Sequence, residues 1–274
     1  MRQFTKKFLL TAVSLLLVVV CLSLLGCQSN VQANKRRHIN SINHRGYGDA
    51  PENTLLAFRL SKENGFDFVE CDVNFTKDNH PVLLHDSSVN RTSSGRGKIS
   101  DLTLEQVRQL DFGSWKSKSY AGERIPTFEE FIDLCVEIGL YPYIEIKDGV
   151  TTEQTRLLLE IVDKADIPVT WISFDRDIIT YISNERPGCR VGLLTYLVTA
   201  DNLQYISELT NLVNVFIDAN YTTLNQVQIQ LCKKYKIPLE VWTVNSREVV
   251  ANIDPYISGI TSDYINAQEV FNNV

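Results

Sequence analysis

Residues 67–86 read DFVECDVNFTKDNHPVLLHD, and the fold turns on how the two apolar runs in this stretch are joined. Residues 67–73 have the β-rich character of a strand, and Pro81-Val82-Leu83-Leu84 is a second strand candidate. Only the tight turn Lys77-Asp78-Asn79-His80 separates them, and so short a turn joins antiparallel strands alone. A parallel barrel cannot take 81–84 as its next stave, so this run is expected to fold back as a hairpin over the C-terminal end of strand two. With the turn centred near 78–79, residue 85 falls across from 70–72, which brings His85 to the level of Glu70 and Asp72.

Setting the hairpin aside leaves eight strand patterns, near 39–43, 67–73, 141–146, 168–173, 190–194, 213–217, 238–243 and 258–261. Helical patterns lie between them at 53–64, 127–138, 152–165, 175–185, 201–209, 222–235 and 246–252, with a closing helix near 266–272. Eight such units predict a (β/α)8 TIM barrel over 39–274. Residues 87–126 hold no barrel strand and form an insertion before strand three, expected to cap the mouth. Within it Asp101 or Thr103 caps a short helix, and Pro126-Thr127 opens the next barrel helix.

The first residues fall outside the barrel. Arg2, Lys6 and Lys7 precede an apolar run from Phe8 to Leu25 that ends Leu24-Leu25-Gly26-Cys27. This resembles a lipoprotein signal peptide over 1–26, with lipid carried on Cys27 and residues 27–38 as a polar tether. A plain transmembrane anchor is the rival reading, and either one puts the body outside the cytoplasmic membrane. Residues 1–26 take three basic residues and no acid with them, which leaves 248 residues with 24 basic and 33 acidic, a net −9. Bulk charge of that sign argues against nucleic-acid binding. Cys71, Cys135, Cys189 and Cys232 have no C-x-x-C spacing, and a disulfide framework is not expected in a chain this large.

In barrels of this class the reacting groups stand at the C-terminal ends of the strands. His44 and Arg45 end strand one, and the chain has only four histidines, at 38, 44, 80 and 85. Glu70 and Asp72 project from one side of strand two, and Glu145 and Lys147 repeat that spacing on strand three. Three converging carboxylates with only Arg45 and Lys147 as counter-charges predict one divalent cation, Ca2+ or Mg2+, because oxygen ligands favour these over zinc. His38 and His80 read as tether and turn-tip residues. Asn53 and Thr54 read as a helix cap, and Trp242, on an apolar strand, is more often core than ligand contact.

The motifs His44-Arg45-Gly46, Pro51-Glu52-Asn53-Thr54, Glu70-Cys71-Asp72-Val73, Pro81-Val82-Leu83-Leu84-His85-Asp86, Leu110-Asp111-Phe112-Gly113, Glu145-Ile146-Lys147 and Trp242-Thr243-Val244-Asn245 together resemble the glycerophosphodiester phosphodiesterase family, in order and from about residue 40 to 265. The resemblance implies metal-dependent hydrolysis of a small phosphodiester to glycerol 3-phosphate and an alcohol, with His44 and His85 as general acid and base. It implies Glu70, Asp72 and Glu145 as metal ligands and Arg45 and Lys147 on the phosphate. Glu52 is implied to lie close to the ion or substrate, and Trp242 is carried as a substrate-binding candidate. The family's Thr-Asp-Tyr-Pro ending is matched by Thr261-Ser262-Asp263-Tyr264-Ile265 without the proline. A lysophospholipase D-like or envelope-polymer phosphodiesterase is the alternative enzyme, and a non-catalytic glycerophosphate-binding lipoprotein is the alternative outside catalysis.

Overall fold

The computed structural model describes residues 38–273; the predicted leader, Cys27 and most of the tether lie outside the described residues. The described residues form nine strands: β1 (Asn40–Asn43), β2 (Phe68–Phe75), β3 (Pro81–Leu83), β4 (Tyr141–Ile146), β5 (Thr170–Ser173), β6 (Arg190–Thr195), β7 (Asn214–Asn220), β8 (Leu239–Trp242) and β9 (Ile257–Ser262). All but β3 pair in parallel in the order β1-β9-β8-β7-β6-β5-β4-β2, and β1 pairs with β2 to close the ring. The helices are α1 (Leu55–Glu63), α2 (Leu104–Arg108), α3 (Phe128–Ile138), α4 (Thr152–Ala165), α5 (Arg176–Glu185), α6 (Ala200–Glu208), α7 (Gln226–Tyr235), α8 (Arg247–Ala251) and α9 (Ala267–Asn272). This is the expected TIM barrel. Among the described residues no helix is long and apolar enough to cross a membrane.

The hairpin forms as its turn length demands. β3 runs antiparallel to β2 with Val73 opposite Leu83 and Phe75 opposite Pro81, and Leu84 N donates to Asp72 O at 3.0 Å. Continuing that register sets residue 85 level with residue 71. Asn79, at φ +65°, takes the left-handed turn position that asparagine tolerates.

Two helices begin later than their apolar patterns suggest, each for a local reason. Asn53 is left-handed (φ +57°), which no helix admits, so Thr54 becomes the N-cap of α1 and accepts from Ala57 N. Tyr221–Thr223 forms a 3-10 turn, and α7 starts only after Asn225, which makes a capping box with Gln228.

Alternation along the strands divides the core in two. Outward residues such as Val69, Ile144, Trp171, Val191 and Ile217 are buried under the helices, and each such side chain contributes about 1.5–3 kcal/mol. Inward residues Ile42, Tyr143, Ile172, Leu194 and Phe216 fill the barrel. Gly192 makes room for them, since a Cβ there would sit 2.3 Å from the Phe216 ring.

The insertion has a small core of its own, in which Val89, Ile99, Val107, Phe112 and Ile125 pack on Val82 and Leu84 of the hairpin. Thr103 caps α2 and Thr127 caps α3, each with a full capping box. The insertion thus covers the hairpin side of the mouth. It reaches the rim where Lys116 Nζ donates to Gly48 O at 2.5 Å. The central cavity is lined by residues of the strand ends and His85, with none from 87–126.

Candidate active site

The loop leaving β1 places the first functional side chains. Arg45 (φ +56°) and Gly46 (φ +83°) reverse the chain against α1, and a Cβ on residue 46 would lie 2.5 Å from the Ala57 methyl, so glycine is required there. Arg45 N donates to Glu70 Oε2 at 3.0 Å, its Nη1 donates to Glu52 Oε1 at 3.0 Å, and its Nε lies 3.2 Å from Asp72 Oδ2.

Parallel registry sets Asp72 of β2 beside Glu145 of β4, and Glu70, Asp72 and Glu145 each present an oxygen within 4.8 Å of the others. Burial, with Asp72 and Glu145 nearby, holds the Glu70 carboxyl well above the carboxylate range. Burial and Asp72 push Glu145 up to about 7. Asp72 is buried too, but Lys147 and Arg45 overcome that effect and hold it far below its ordinary value. Lys147 Nζ sits 2.5 Å from both Asp72 Oδ1 and Glu145 Oε1, and only the second contact is a well-angled hydrogen bond.

Asn53 completes the support for Asp72. Its Nδ2 donates to Asp72 Oδ2 at 2.7 Å and its Oδ1 accepts from Asp72 N at 3.2 Å. The reading of Asn53 as a cap missed this; an asparagine before a threonine cap carries no local sign of a partner nineteen residues away. The donor set fits a hard divalent ion. Glu70 Oε1 is buried without a hydrogen-bond partner, all donors are oxygens, and Arg45 and Lys147 leave the three carboxylates with one net negative charge.

Two histidines flank the cluster, and both are anchored alike. His44 Nδ1 lies 2.7 Å from Asp263 Oδ1, and His85 Nδ1 lies 2.7 Å from Asp86 Oδ1. A carboxylate at Nδ1 assigns the hydrogen to that nitrogen and leaves Nε2 of each ring for proton transfer. Burial lowers the His85 pKa below its ordinary value, and Lys147 and Arg45 act in the same direction, against Asp72 and Asp86. Arg91, from the insertion, donates to Asp86 and holds it down to about 2. Sequence reading had noted Asp86 and Asp263 within motifs without giving either a histidine to hold.

The remaining candidates take distinct places. Glu52 stands one step behind the cluster, shared between Arg45 and the fork of Arg91 at 2.7 and 2.8 Å. Trp242 lines the cavity across from the acids, packed edge-on against Phe174 and Tyr196, with ring centroids 5.8 and 5.3 Å away. Its Nε1 donates to Asp218 O at 3.0 Å. His80 sits exposed at the hairpin tip, away from these groups. The cavity between the two walls has a volume of about 90 Å³.

Residues 44–267 match the family model described as the glycerophosphoryl diester phosphodiesterase family. A glycerophosphodiester phosphodiesterase of Caldanaerobacter subterraneus is 33% identical over 230 residues, covering 81% of this chain and 93% of its own. One from Bacillus subtilis is 27% identical over 255 residues, 86% of each chain. An Oleispira antarctica phosphodiesterase, solved in complex with the product sn-glycerol-3-phosphate, superposes with a TM-score of 0.78 at 25% identity, covering 86% of this chain and 97% of its own.

Proposed function

We propose, since this chain belongs to the glycerophosphoryl diester phosphodiesterase family, that it hydrolyses glycerophosphodiesters to glycerol 3-phosphate and an alcohol by two-histidine acid and base catalysis. The observation that carries this reading is the pair of imidazoles, each held at Nδ1 by an aspartate, on either side of three buried carboxylates.

Arg45 and Lys147 hold the charge of the diester phosphate. Glu70, Asp72 and Glu145 would hold a divalent cation, Mg2+ or Ca2+, which when bound supplies Lewis-acid polarisation of a phosphoryl oxygen. His85, kept neutral by its surroundings, takes the proton of the attacking oxygen at Nε2. That oxygen belongs to water, or to the glycerol 2-hydroxyl, whose attack expels the alcohol and forms a cyclic phosphate that water then opens. His44 gives a proton from Nε2 to the leaving alcohol as its bond to phosphorus breaks. Glycerol 3-phosphate release from glycerophosphocholine, with and without Mg2+ or Ca2+, tests this. Release in the presence of an ion is expected, and no release with either ion would sink the reading.

The lysophospholipase D-like alternative has less support. None of the residues lining the central cavity comes from the insertion, and Phe112 of the insertion is buried in that segment's own core. Turnover of lysophosphatidylcholine above that of glycerophosphocholine would reverse the order. A non-catalytic binder is disfavoured because both histidines and all three carboxylates are in place.

For residues 1–38 we propose the lipoprotein reading, with cleavage after Gly26 and lipid on Cys27 holding the domain outside the cytoplasmic membrane. Its support is the sequence pattern alone. Labelling with a radioactive fatty acid should mark the native chain and not C27A.

A further inference from the structure

The two walls of the cavity are chemically unlike. One carries His44, His85 and the acid cluster. Across from it Phe174, Tyr196 and Trp242 stand with their centroids 5.2–5.8 Å apart, too close to admit a ligand group between them, so they form one apolar surface.

Asp218, on β7 below Trp242, is the exception on that side. It lines the cavity, is 2% exposed, and its Oδ1 has no hydrogen-bond partner. The backbone oxygen of the same residue is already used by Trp242 Nε1. Deeper in the barrel Arg190 offers no relief, because it is committed to Glu240 at 2.8 Å and to the Tyr143 hydroxyl at 2.7 Å. A buried oxygen without a partner destabilises a fold, and where its carboxyl lines a cavity a ligand can supply the missing hydrogen bond.

Resting on the phosphodiesterase reading above, we propose that Asp218 is a specificity-determining residue whose carboxyl hydrogen-bonds a hydroxyl of the glycerol half of the bound diester. Burial and the charge of Glu240 hold this carboxyl well above the carboxylate range. The protonated form that this favours can both give and accept, as an alcohol can. With phosphate on the acid wall, the glycerol carbons lie along the aromatic surface and a hydroxyl turns toward Asp218. The contact selects a polyol over an alkyl group of the same length.

The test compares glycerol 3-phosphate with n-propyl phosphate, which keeps the phosphate and carbon chain and lacks the hydroxyls. Each is measured as a competitor of glycerophosphocholine turnover and, without turnover, by thermal protection of the Mg2+-loaded protein. In the native protein glycerol 3-phosphate should bind at least about tenfold more tightly than propyl phosphate. D218N, which keeps hydrogen-bonding capacity, should retain most of that ratio, and D218L should bring it close to one. D218L without ligand should also melt at a temperature equal to or above native, since an apolar group relieves the unpartnered carboxyl. A native ratio near one, or a D218L protein that keeps the native ratio, overturns the proposal. Failure of the native chain to release glycerol 3-phosphate would count against the activity, while the thermal ratio would still decide the role of Asp218.

Discussion

Asp263 Oδ1 lies 2.7 Å from His44 Nδ1 although the two residues are 219 apart in sequence. The aspartate is itself fixed, since Asn245 Nδ2 donates to its other oxygen at 2.6 Å and Asn245 Oδ1 accepts from its backbone N at 2.9 Å. The β9 loop thus sets the orientation and tautomer of a ring carried by β1. D263N keeps the shape, removes the carboxylate charge and, with its amide oxygen held by Asn245 Nδ2, turns an NH2 toward His44 Nδ1, which should lower kcat by about 100-fold or more with KM little changed. H44A should be at least as impaired. A D263N enzyme with native kcat would remove His44 from the chemistry.

The neighbouring ring gives a pH prediction with a definite sign. The His85 pKa is lowered, chiefly by burial, so the neutral base persists below the ordinary histidine value of 6.5 and the acid limb of kcat/KM should fall below that pH. The hydrogen bond that His85 Nδ1 donates to Asp86 favours the protonated ring, so D86N should move the acid limb to still lower pH. An upward shift in D86N would contradict the arrangement.

The barrel and the site were legible to different depths, for physical reasons. Strands alternate with helices, a four-residue turn forces antiparallel pairing, and these facts alone returned His85 to the level of Glu70 and Asp72; the register of Val73 with Leu83 bears this out. Asn53 and Asp263 were not readable in this way. Their partners are set by a left-handed residue and by ring closure, and neither leaves a periodic trace. Asp218 falls one residue past the strand pattern at 213–217, and its inward parity with Phe216 appears only because β7 runs on to Asn220.

The acid cluster makes ion-free stability fall as pH rises. Glu145 titrates near 7 in the folded chain against an ordinary value of 4.5, through burial and Asp72, and Glu70 is raised as well. A carboxyl raised on folding imposes no penalty below its unfolded pKa and a full penalty above its folded one. The melting temperature in chelator should therefore decline between about pH 4.5 and 7, and Mg2+ or Ca2+ should reverse the decline while restoring turnover. E70Q should melt at or above native in chelator and gain little from the ion. A chelated protein that is fully active, or whose melting is unmoved by either ion, would remove the cation from the site.

Asn53 supports the same cluster from behind, with two hydrogen bonds to Asp72. N53A leaves Asp72 free to turn, so ion affinity should weaken by about 10–100-fold, read as the ion concentration giving half-maximal activity. Saturating ion should restore much of the turnover, and an unchanged half-maximal concentration would show that Arg45 and Lys147 position Asp72 without help.

In the insertion, Gly113 and Gly122 are required for different reasons, and the difference is measurable. A Cβ on residue 113 would lie 1.7 Å from Tyr120 O and 2.6 Å from Tyr120 C, a backbone that cannot yield without breaking the loop. That loop is organised by Asp111, which accepts from Gly113 N, Ser114 N and Gly122 N at 2.7, 2.9 and 3.0 Å, and by Phe112 N donating to Glu123 O. Gly122 has open space around its Cβ position and is constrained only by φ +92°. G113A should cost about 1–3 kcal/mol as an overpacked site, lowering the melting temperature by about 2–10 °C, and G122A about 1 kcal/mol. Because 87–126 packs around its own small core, G113A should also expose this segment to protease while the barrel stays resistant. Equal losses in the two variants would mean that the contact with Tyr120 relaxes at little cost.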